Sequence, residues 1–336
     1  MPRAPARLAG CAPAFGRHNS FAPRLGWPAK VHAALNDDPL AFARPGATVT
    51  LGVGSSMVRP MRFWSSAFGL IEDDDHATRP RPAHPTSRGH WLLDEDGADP
   101  YLEDLGTLWL LHWWLLSAEP CLLPTFRYFF GSWWKTRFTR AELRAAVQDA
   151  AVGTGWRRPA DSVVAHDITA LTAMYGTTRH RENDPWAVEE FVINPFRQLG
   201  LLDLDPEARF TPPNWESGCR RGELLVDRRR GNNAPGAILA YACLTYAHDR
   251  GAQGPGTVAL SRLHTDDRGP GRLMLADERA LRTAIANVAR DPAGQGLALA
   301  ESSGGDLLAF EEPPLILANR VLAAYYRRPN GPDDHR

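Results

Sequence analysis

The chain has 336 residues, of which 43% are hydrophobic and 23% are charged, which is enough for two or three modules with their own cores. The 38 Lys and Arg residues nearly balance the 39 Asp and Glu residues, so the formal net charge of -1 excludes a protein that is basic throughout. Any nucleic-acid surface must therefore come from segregated charge. Nearly all of the positive charge is arginine, which favours bidentate phosphate contacts or reflects the base composition of the genome.

Three features of the sequence indicate the cellular compartment: the four cysteines, the amino terminus and the length of the apolar runs. Cys11, Cys121, Cys219 and Cys243 are widely spaced and form no CxxC pair, so neither a structural zinc site nor a disulfide framework is predicted. The amino terminus has basic residues without the apolar stretch of a signal peptide. The longest apolar run has fewer than the roughly 20 residues that span a bilayer. We expect a cytoplasmic protein without a membrane segment.

The first candidate DNA contacts lie in FGRHNSFAPRLGWPAK, near the amino terminus. His18, Arg24 and Lys30 are phosphate-compatible groups around an aromatic pair that would fix this segment against the core. We therefore predict that these three side chains contact DNA. The alternative is structural packing, in which an arginine pairs with a buried carboxylate such as Glu103.

A second candidate follows in LGVGSSMVRPMRFW. Ser55 and Ser56 are suited to the start of a helix, where unpaired backbone N–H groups bind phosphate oxygens. Arg59 and Arg62 are three residues apart and would share the exposed face of that helix. Pro60 should lie in the first turn of this helix, so the helix should begin at Ser56 or Met57. We predict that these two serines and two arginines contact DNA.

The segment DPYLEDLGTLWLLHWW predicts a helix that begins with acidic residues and continues into a buried aromatic core. Asp99 is placed to cap this helix, and Glu103 lies four residues later on the same face. His112 points the opposite way, so acid chemistry here would be carboxylate chemistry. Together with Asp167 from another helix, Asp99 and Glu103 are our candidate catalytic and metal-binding residues. Capping and helix-dipole compensation are the alternative explanation.

The remaining elements follow in chain order. Thr139 and Glu142 form a capping box that predicts a helix start. The segment WESGCRRGELLVDRRRGNNAPG has turn residues and little periodicity, so we expect an exposed loop in which Arg220 and Arg221 contact DNA. Cys219 beside these arginines would have a favoured thiolate that accepts sulfur, or it is an incidental surface cysteine. A helix near Asp277 and the hairpin GLALAESSGGDLLAF follow.

The predicted fold class is mainly α with small β hairpins (α+β), built of winged-helix-type modules around a helical middle. A helix followed by a short polar stretch and a strand-like run occurs in both the first and the last part of the chain. We expect an N-terminal winged-helix-like DNA-binding module at 1–97 and a helical middle at 98–205. A C-terminal α+β winged-helix-like module at 206–328 and a solvated tail at 329–336 complete the prediction.

Several of these motifs occur together in one bacterial family. With VVAHDITALTAMY, INPFRQLGLL and GPGRLMLADERAL, the two amino-terminal motifs and the DPYLED helix make the chain resemble the DUF4007 family from about Phe15 to Tyr326. That family includes the nickase of single-strand DNA phosphorothioation systems. The resemblance implies DNA as the target and a role in antiphage defence by sulfur modification of DNA.

Our expectation from sequence is a DNA-nicking endonuclease, a phosphodiester hydrolase that opens one strand for sulfur insertion. It would use Mg²⁺ or Mn²⁺ held by Asp99, Glu103 and Asp167, although the chain contains no recognised nuclease signature. The first alternative is a winged-helix adaptor that recruits its partners without cutting, and a weaker one is a transcriptional regulator. The expected partners are double-stranded DNA, a cysteine desulfurase, an ATPase and a sulfur-transferring ATP pyrophosphatase.

Overall fold

The structure is a computed structural model that describes residues 7–74, 80–177, 193–204 and 223–333. Helices predominate and the sheets are small, so the predicted α+β class is confirmed. Within these residues, no helix combines the length and the apolar character that crossing a bilayer requires.

The described residues of the first part of the chain form four α-helices, a 3₁₀ turn (Ala41–Ala43) and one antiparallel strand pair. These elements are α1 (Trp27–Asp37), α2 (Ala47–Leu51), α3 (Ser55–Ala67), β1 (Ile71–Asp73), β2 (Ala83–Pro85) and α4 (Ser87–Leu93). Because α3 begins at Ser55, Pro60 lies in its second turn, and the prediction of a first-turn position is wrong. Met61 and Trp64 are buried on the inner side of α3, while Arg59 is exposed on its outer side.

The centre of the molecule is α5 (Leu105–Ser117), followed by α6 (Pro124–Arg127) and a π-helical turn at Tyr128–Ser132. Helix α5 is buried on every side, and the side chains of Trp109, Trp113 and Trp114 are each 1% exposed. Such a helix shows no amphipathic period, because all of its faces contact protein. Its N-cap is Asp104, whose carboxylate accepts from the Gly106 N–H, so the prediction of a helix start at Asp99 is wrong.

A second unit follows α6, and it contains a sheet where we expected a helical middle. Its elements are β3 (Arg137–Thr139), α7 (Arg140–Gly153), α8 (Asp161–Tyr175), β4 (Gly176–Thr177), β5 (Leu202–Asp203) and β6 (Glu223–Val226). The strand order is β3-β6-β5-β4 within the described residues, with the β4–β5 pair parallel and the other pairs antiparallel. Thr139 and Glu142 form the predicted capping box at the start of α7.

The last part of the chain has a three-stranded antiparallel sheet in the order β7-β9-β8. Its elements are α9 (Gly236–Asp249), β7 (Gly256–Ala259), α10 (Leu260–Thr265), α11 (Pro270–Leu273), α12 (Glu278–Val288), β8 (Leu297–Ser302), β9 (Gly305–Phe310) and α13 (Pro314–Tyr325). Asp277 caps α12 by accepting from the Ala280 N–H, and β8 and β9 form the predicted hairpin.

Contacts between distant segments join these parts. Trp114 Nε1 of α5 donates to the Tyr241 hydroxyl of α9 at 2.9 Å. Arg88 of α4 forms an ion pair with Asp333 at 3.0 Å, and Trp91 Nε1 donates to the Asn330 carbonyl at 2.7 Å. Asp333 is buried, so the described part of the segment that we expected to be a solvated tail packs against α4 instead.

Candidate nucleic-acid interface and metal-binding groups

A cavity of about 410 Å³ lies on the outer side of α3 and is lined by three arginines, and we call it the arginine cleft. Arg59 and Arg62 come from α3 itself, and Arg17 comes from the segment that precedes α1. The other lining residues are Ala12, Ala14, Phe63, Ser66, Asp73 and Leu122. The predicted exposed pair on α3 is therefore joined by a third guanidinium from a distant part of the sequence.

The described residues that line the arginine cleft carry more positive than negative charge. Arg62 donates to Asp73 Oδ1 at 2.6 Å, and its guanidinium lies over the Phe42 ring at 5.6 Å from the ring centroid. Arg17 and Arg59 are exposed and form no ion pair within the described residues. Guanidinium groups present planar sets of N–H donors that match phosphate oxygens. Three of them beside one carboxylate give a surface suited to an anionic ligand.

The inner side of α3 faces a buried polar network centred on Asp167 of α8. One oxygen of Asp167 accepts from the Gly16 N–H at 2.7 Å and from His18 Nε2 at 3.1 Å. The other accepts from the Thr125 hydroxyl at 2.6 Å. The His18 ring stacks on Trp64 of α3 with centroids 5.7 Å apart. This network fixes both residues that flank Arg17 in the sequence.

The roles that we predicted for His18 and Asp167 require access to DNA, and neither residue has it in this conformation. His18 is 0% exposed and Asp167 is 1% exposed. The Ser20 N–H donates to His18 Nδ1 at 3.2 Å, which assigns the ring proton to Nε2, where it is donated to Asp167. Both ring nitrogens of His18 are therefore used inside the protein, and its contact with DNA stays a prediction that this conformation does not support.

Among the described residues, Asp99 and Glu103 share no hydrogen-bond partner with Asp167. The Asp99 carboxylate accepts from the N–H groups of Glu103 and Asp104 at 2.9 and 3.0 Å, and from the Thr107 hydroxyl at 2.6 Å. Asp99 is thus buried in the turn before α5, while Glu103 is exposed. The structure does not bring these residues and Asp167 together as a group of metal ligands within the described part of the chain.

The other predicted DNA-binding residues have varied surroundings. Arg24 is half-buried with its guanidinium 5.7 Å from the centroid of the Trp27 ring, and exposed Lys30 donates to the Leu51 carbonyl at 3.4 Å. Ser55 and Ser56 are exposed at the start of α3 and remain placed for phosphate contact. Arg220 and Arg221, which we predicted to contact DNA, lie outside the described residues, as does the neighbouring Cys219.

One group of side chains that the sequence analysis missed has the composition of a metal site, and we call it the His-His-Asp cluster. It consists of His32 of α1, His90 of α4 and Asp94, and their ligand atoms all lie within 4.8 Å of one another. Asp94 Oδ1 is 2.7 Å from His32 Nε2 and 3.1 Å from His90 Nδ1. The spacing of His90 and Asp94 on one helical turn was a usable signal, whereas His32 has no local signal in the sequence.

Burial and hydrogen bonding set the protonation of this cluster. Burial lowers the pKa of His32 below its usual 6.5, which favours the neutral ring. Burial of Asp94 opposes its charge, but hydrogen bonds from the two histidines lower the pKa of its carboxyl. A neutral imidazole and an ionised carboxylate are the forms that bind metal ions.

Comparison with known proteins gives consistent results. The model of the family described as "Protein of unknown function (DUF4007)" matches residues 15–326. A structure described as "Magnesium ion-bound SspB crystal structure" is 35% identical, covers 96% of this chain and 90% of its own, and has a TM-score of 0.83. A structure described as "SspB crystal structure" is 36% identical with the same coverage and a TM-score of 0.82. A comparison with curated proteins gives no match.

Proposed function

The chain belongs to the DUF4007 family, and on this premise we propose that it is the DNA-binding nickase of a phosphorothioation-based defence system. In this role it opens one strand of double-stranded DNA for sulfur insertion by other proteins. The observation that carries the proposal is the arginine cleft, in which two separate segments supply three guanidinium groups to one cavity. Arginine clusters of this kind bind phosphate oxygens and so position a nucleic-acid backbone.

The order of elements in the first and last parts of the chain supports DNA binding. In the first part of the chain, three helices (α1, α2 and α3) are followed by the β1–β2 pair. In the last part, β7, three helices (α10, α11 and α12) and the β8–β9 pair occur in succession. We interpret these orders as two winged-helix-like modules, because helix-turn-helix proteins place a recognition helix in the major groove of DNA. On this interpretation, α3 is the recognition helix of the first module and presents Arg59 and Arg62.

Asp73 is the carboxylate that lines the arginine cleft, and we assign it the acidic role in cleavage. It is 43% exposed and is held by Arg62 until a phosphate group competes for that guanidinium. Mg²⁺ binds oxygen ligands and is commonly held by one or two carboxylates together with substrate phosphates, so one carboxylate beside a phosphate site fits such an ion. A bound Mg²⁺ or Mn²⁺ would neutralise phosphate charge and activate water.

A second candidate function is a non-catalytic adaptor that binds DNA and recruits the cysteine desulfurase, the ATPase and the sulfur-transferring ATP pyrophosphatase. It is favoured by the separation of the carboxylates that were our first candidates for a metal site. Asp99 satisfies the turn before α5, and Asp167 holds the amino-terminal segment. Both carboxylates are thereby used for structure.

The two functions are separated by incubating the purified protein with supercoiled plasmid in MgCl₂ or MnCl₂. A nickase converts the plasmid to open circle, and EDTA prevents the conversion. We expect Asp73→Asn to lose this activity and to keep or improve its DNA affinity, since it removes a negative charge near phosphate. Asp37→Asn, at an exposed position on α1, is the matched control and should nick like the wild type.

Two outcomes contradict parts of this proposal. DNA binding without open circle in either metal supports the adaptor. Nicking by Asp73→Asn at the wild-type rate removes Asp73 from the reaction and leaves the nickase assignment itself intact.

A further inference from the structure

The His-His-Asp cluster opens onto a second cavity, which we call the terminal groove. This groove has a volume of about 350 Å³ and runs between α4 and the segment 328–332. His90 and Asp94 line it together with Trp91, Asp96 and Arg328. His32 lies behind them and is 4% exposed. The cluster therefore has a buried side, where α1 contributes one imidazole, and an open side that faces a cavity.

The donor atoms define the kind of ion that fits. Ligands of one ion at about 2.1 Å lie about 3 to 4 Å from each other, and the three donors here are within 4.8 Å of one another. Two imidazole nitrogens and one carboxylate oxygen suit borderline transition metals such as Zn²⁺, whereas Mg²⁺ prefers oxygen ligands alone. This donor set thus differs from the oxygen donors of the arginine cleft.

The two ring nitrogens of His32 have different surroundings, which identifies the one that belongs to the cluster. Its Nδ1 atom is buried and has no hydrogen-bond partner among the described residues. The ring is therefore held through Nε2, which lies 2.7 Å from Asp94 Oδ1. Nε2 is thus the His32 nitrogen that would bind an ion, and the ion would replace its hydrogen bond to Asp94.

We propose that His32, His90 and Asp94 bind one Zn²⁺-class transition-metal ion, with an open coordination position that faces the terminal groove. Three protein ligands leave room for a fourth in the tetrahedral arrangement that Zn²⁺ prefers. Water or an anionic oxygen takes that position from the groove side. The ion also links α1 to α4, next to the contact between α4 and the carboxy-terminal segment.

The test is a calorimetric titration of the chelator-treated full chain with ZnCl₂. We expect one Zn²⁺ per chain in the wild type and an affinity at least about tenfold lower in His90→Gln, because a ligand is lost. His84→Gln is the matched control, since His84 is exposed on β2 outside the cluster, and it should bind like the wild type. Circular dichroism of each metal-stripped variant establishes that it is folded.

A spectrum of the wild type with CoCl₂ identifies the ligands without any substitution. Nitrogen and oxygen ligands give weak visible bands, whereas a cysteine thiolate adds an intense near-ultraviolet band. The proposal is overturned if the wild type binds no Zn²⁺, if His90→Gln and His84→Gln bind it equally, or if the thiolate band shows that cysteines hold the metal. Because plasmid nicking and DNA affinity are measured separately, these results leave the proposed function to its own test.

Discussion

The two sides of α3 use charged groups in opposite ways. On the inner side, Asp167 is 1% exposed and its oxygens accept from three donors, one of them His18. On the outer side, Arg17 and Arg59 are exposed in the arginine cleft. The inner groups satisfy one another, while the outer groups are available to a ligand. The difference shows that polar residues of one family motif can be buried for packing beside a surface that presents exposed charge.

The two sides are joined through the short segment 16–18. Gly16 has a φ of +68°, in the left-handed region that favours glycine, and its N–H donates to Asp167. His18 donates to the same oxygen, so Arg17 is held between two fixed residues. The buried network therefore positions one wall of the cleft.

The largest expected change in stability comes from replacing Asp167 on the inner side of α3. Asp167→Ala leaves three buried donors without their acceptor and should lower the free energy of unfolding by about 3–5 kcal/mol. Urea unfolding measures this change, and Asp149→Ala, at an exposed position of α7, is the control with less than about 1 kcal/mol expected. If Asp167→Asn stays folded and binds DNA normally but does not nick, Asp167 has the catalytic role predicted from sequence, and the contrast between the two sides fails.

A smaller, pH-dependent loss of stability is expected from His112, a buried polar residue of α5. Its Nε2 donates to the Leu273 carbonyl at 2.8 Å, and its Nδ1 accepts from the Tyr175 hydroxyl at 2.7 Å. Burial lowers its pKa to about 4, below the usual 6.5 of histidine. The unfolded chain binds this proton first, so stability should fall by about 3 kcal/mol as the pH drops from about 6.5 to 4.

Urea unfolding at several pH values measures this loss. His112→Gln cannot titrate there, so its stability should depend less on pH than that of the wild type over the same interval. Parallel pH curves for the two proteins would contradict the assignment of a buried, neutral His112.

The smallest expected change in free energy is a loss of DNA-binding affinity from the outer side of α3. Arg59→Ala/Arg62→Ala should weaken DNA binding about tenfold for all sequences and reduce the salt slope by about two phosphate contacts. Its thermal stability should stay close to wild type, because both side chains lie on the surface of α3. Arg157→Ala/Arg158→Ala removes the same charge from exposed positions and is the control. Gel shifts at several salt concentrations compare the variants, and equal affinities would exclude α3 from the interface.

Local sequence patterns predicted the parts of this molecule that depend on neighbouring residues. The spacing of Arg59 and Arg62 placed them together on α3, and the apolar run placed Trp109 in the core. The donors that meet Asp167 come from distant segments, so its buried role was not predictable, whereas the donors that meet Asp99 lie within the eight residues that follow it. The same reason hid the contribution of Arg17 to the cleft.

The ion pair between Arg88 and Asp333 joins residues that are 245 positions apart. At a translation rate of about 5–20 residues per second, Asp333 is synthesised roughly 12 to 50 s after Arg88. Throughout that interval the nascent chain presents the uncovered face of α4, including the indole of Trp91, whose acceptor at Asn330 has not been made. The first part of the chain therefore completes these contacts only after residue 333 has been synthesised, so a chain that ends near residue 327 leaves this face of α4 uncovered.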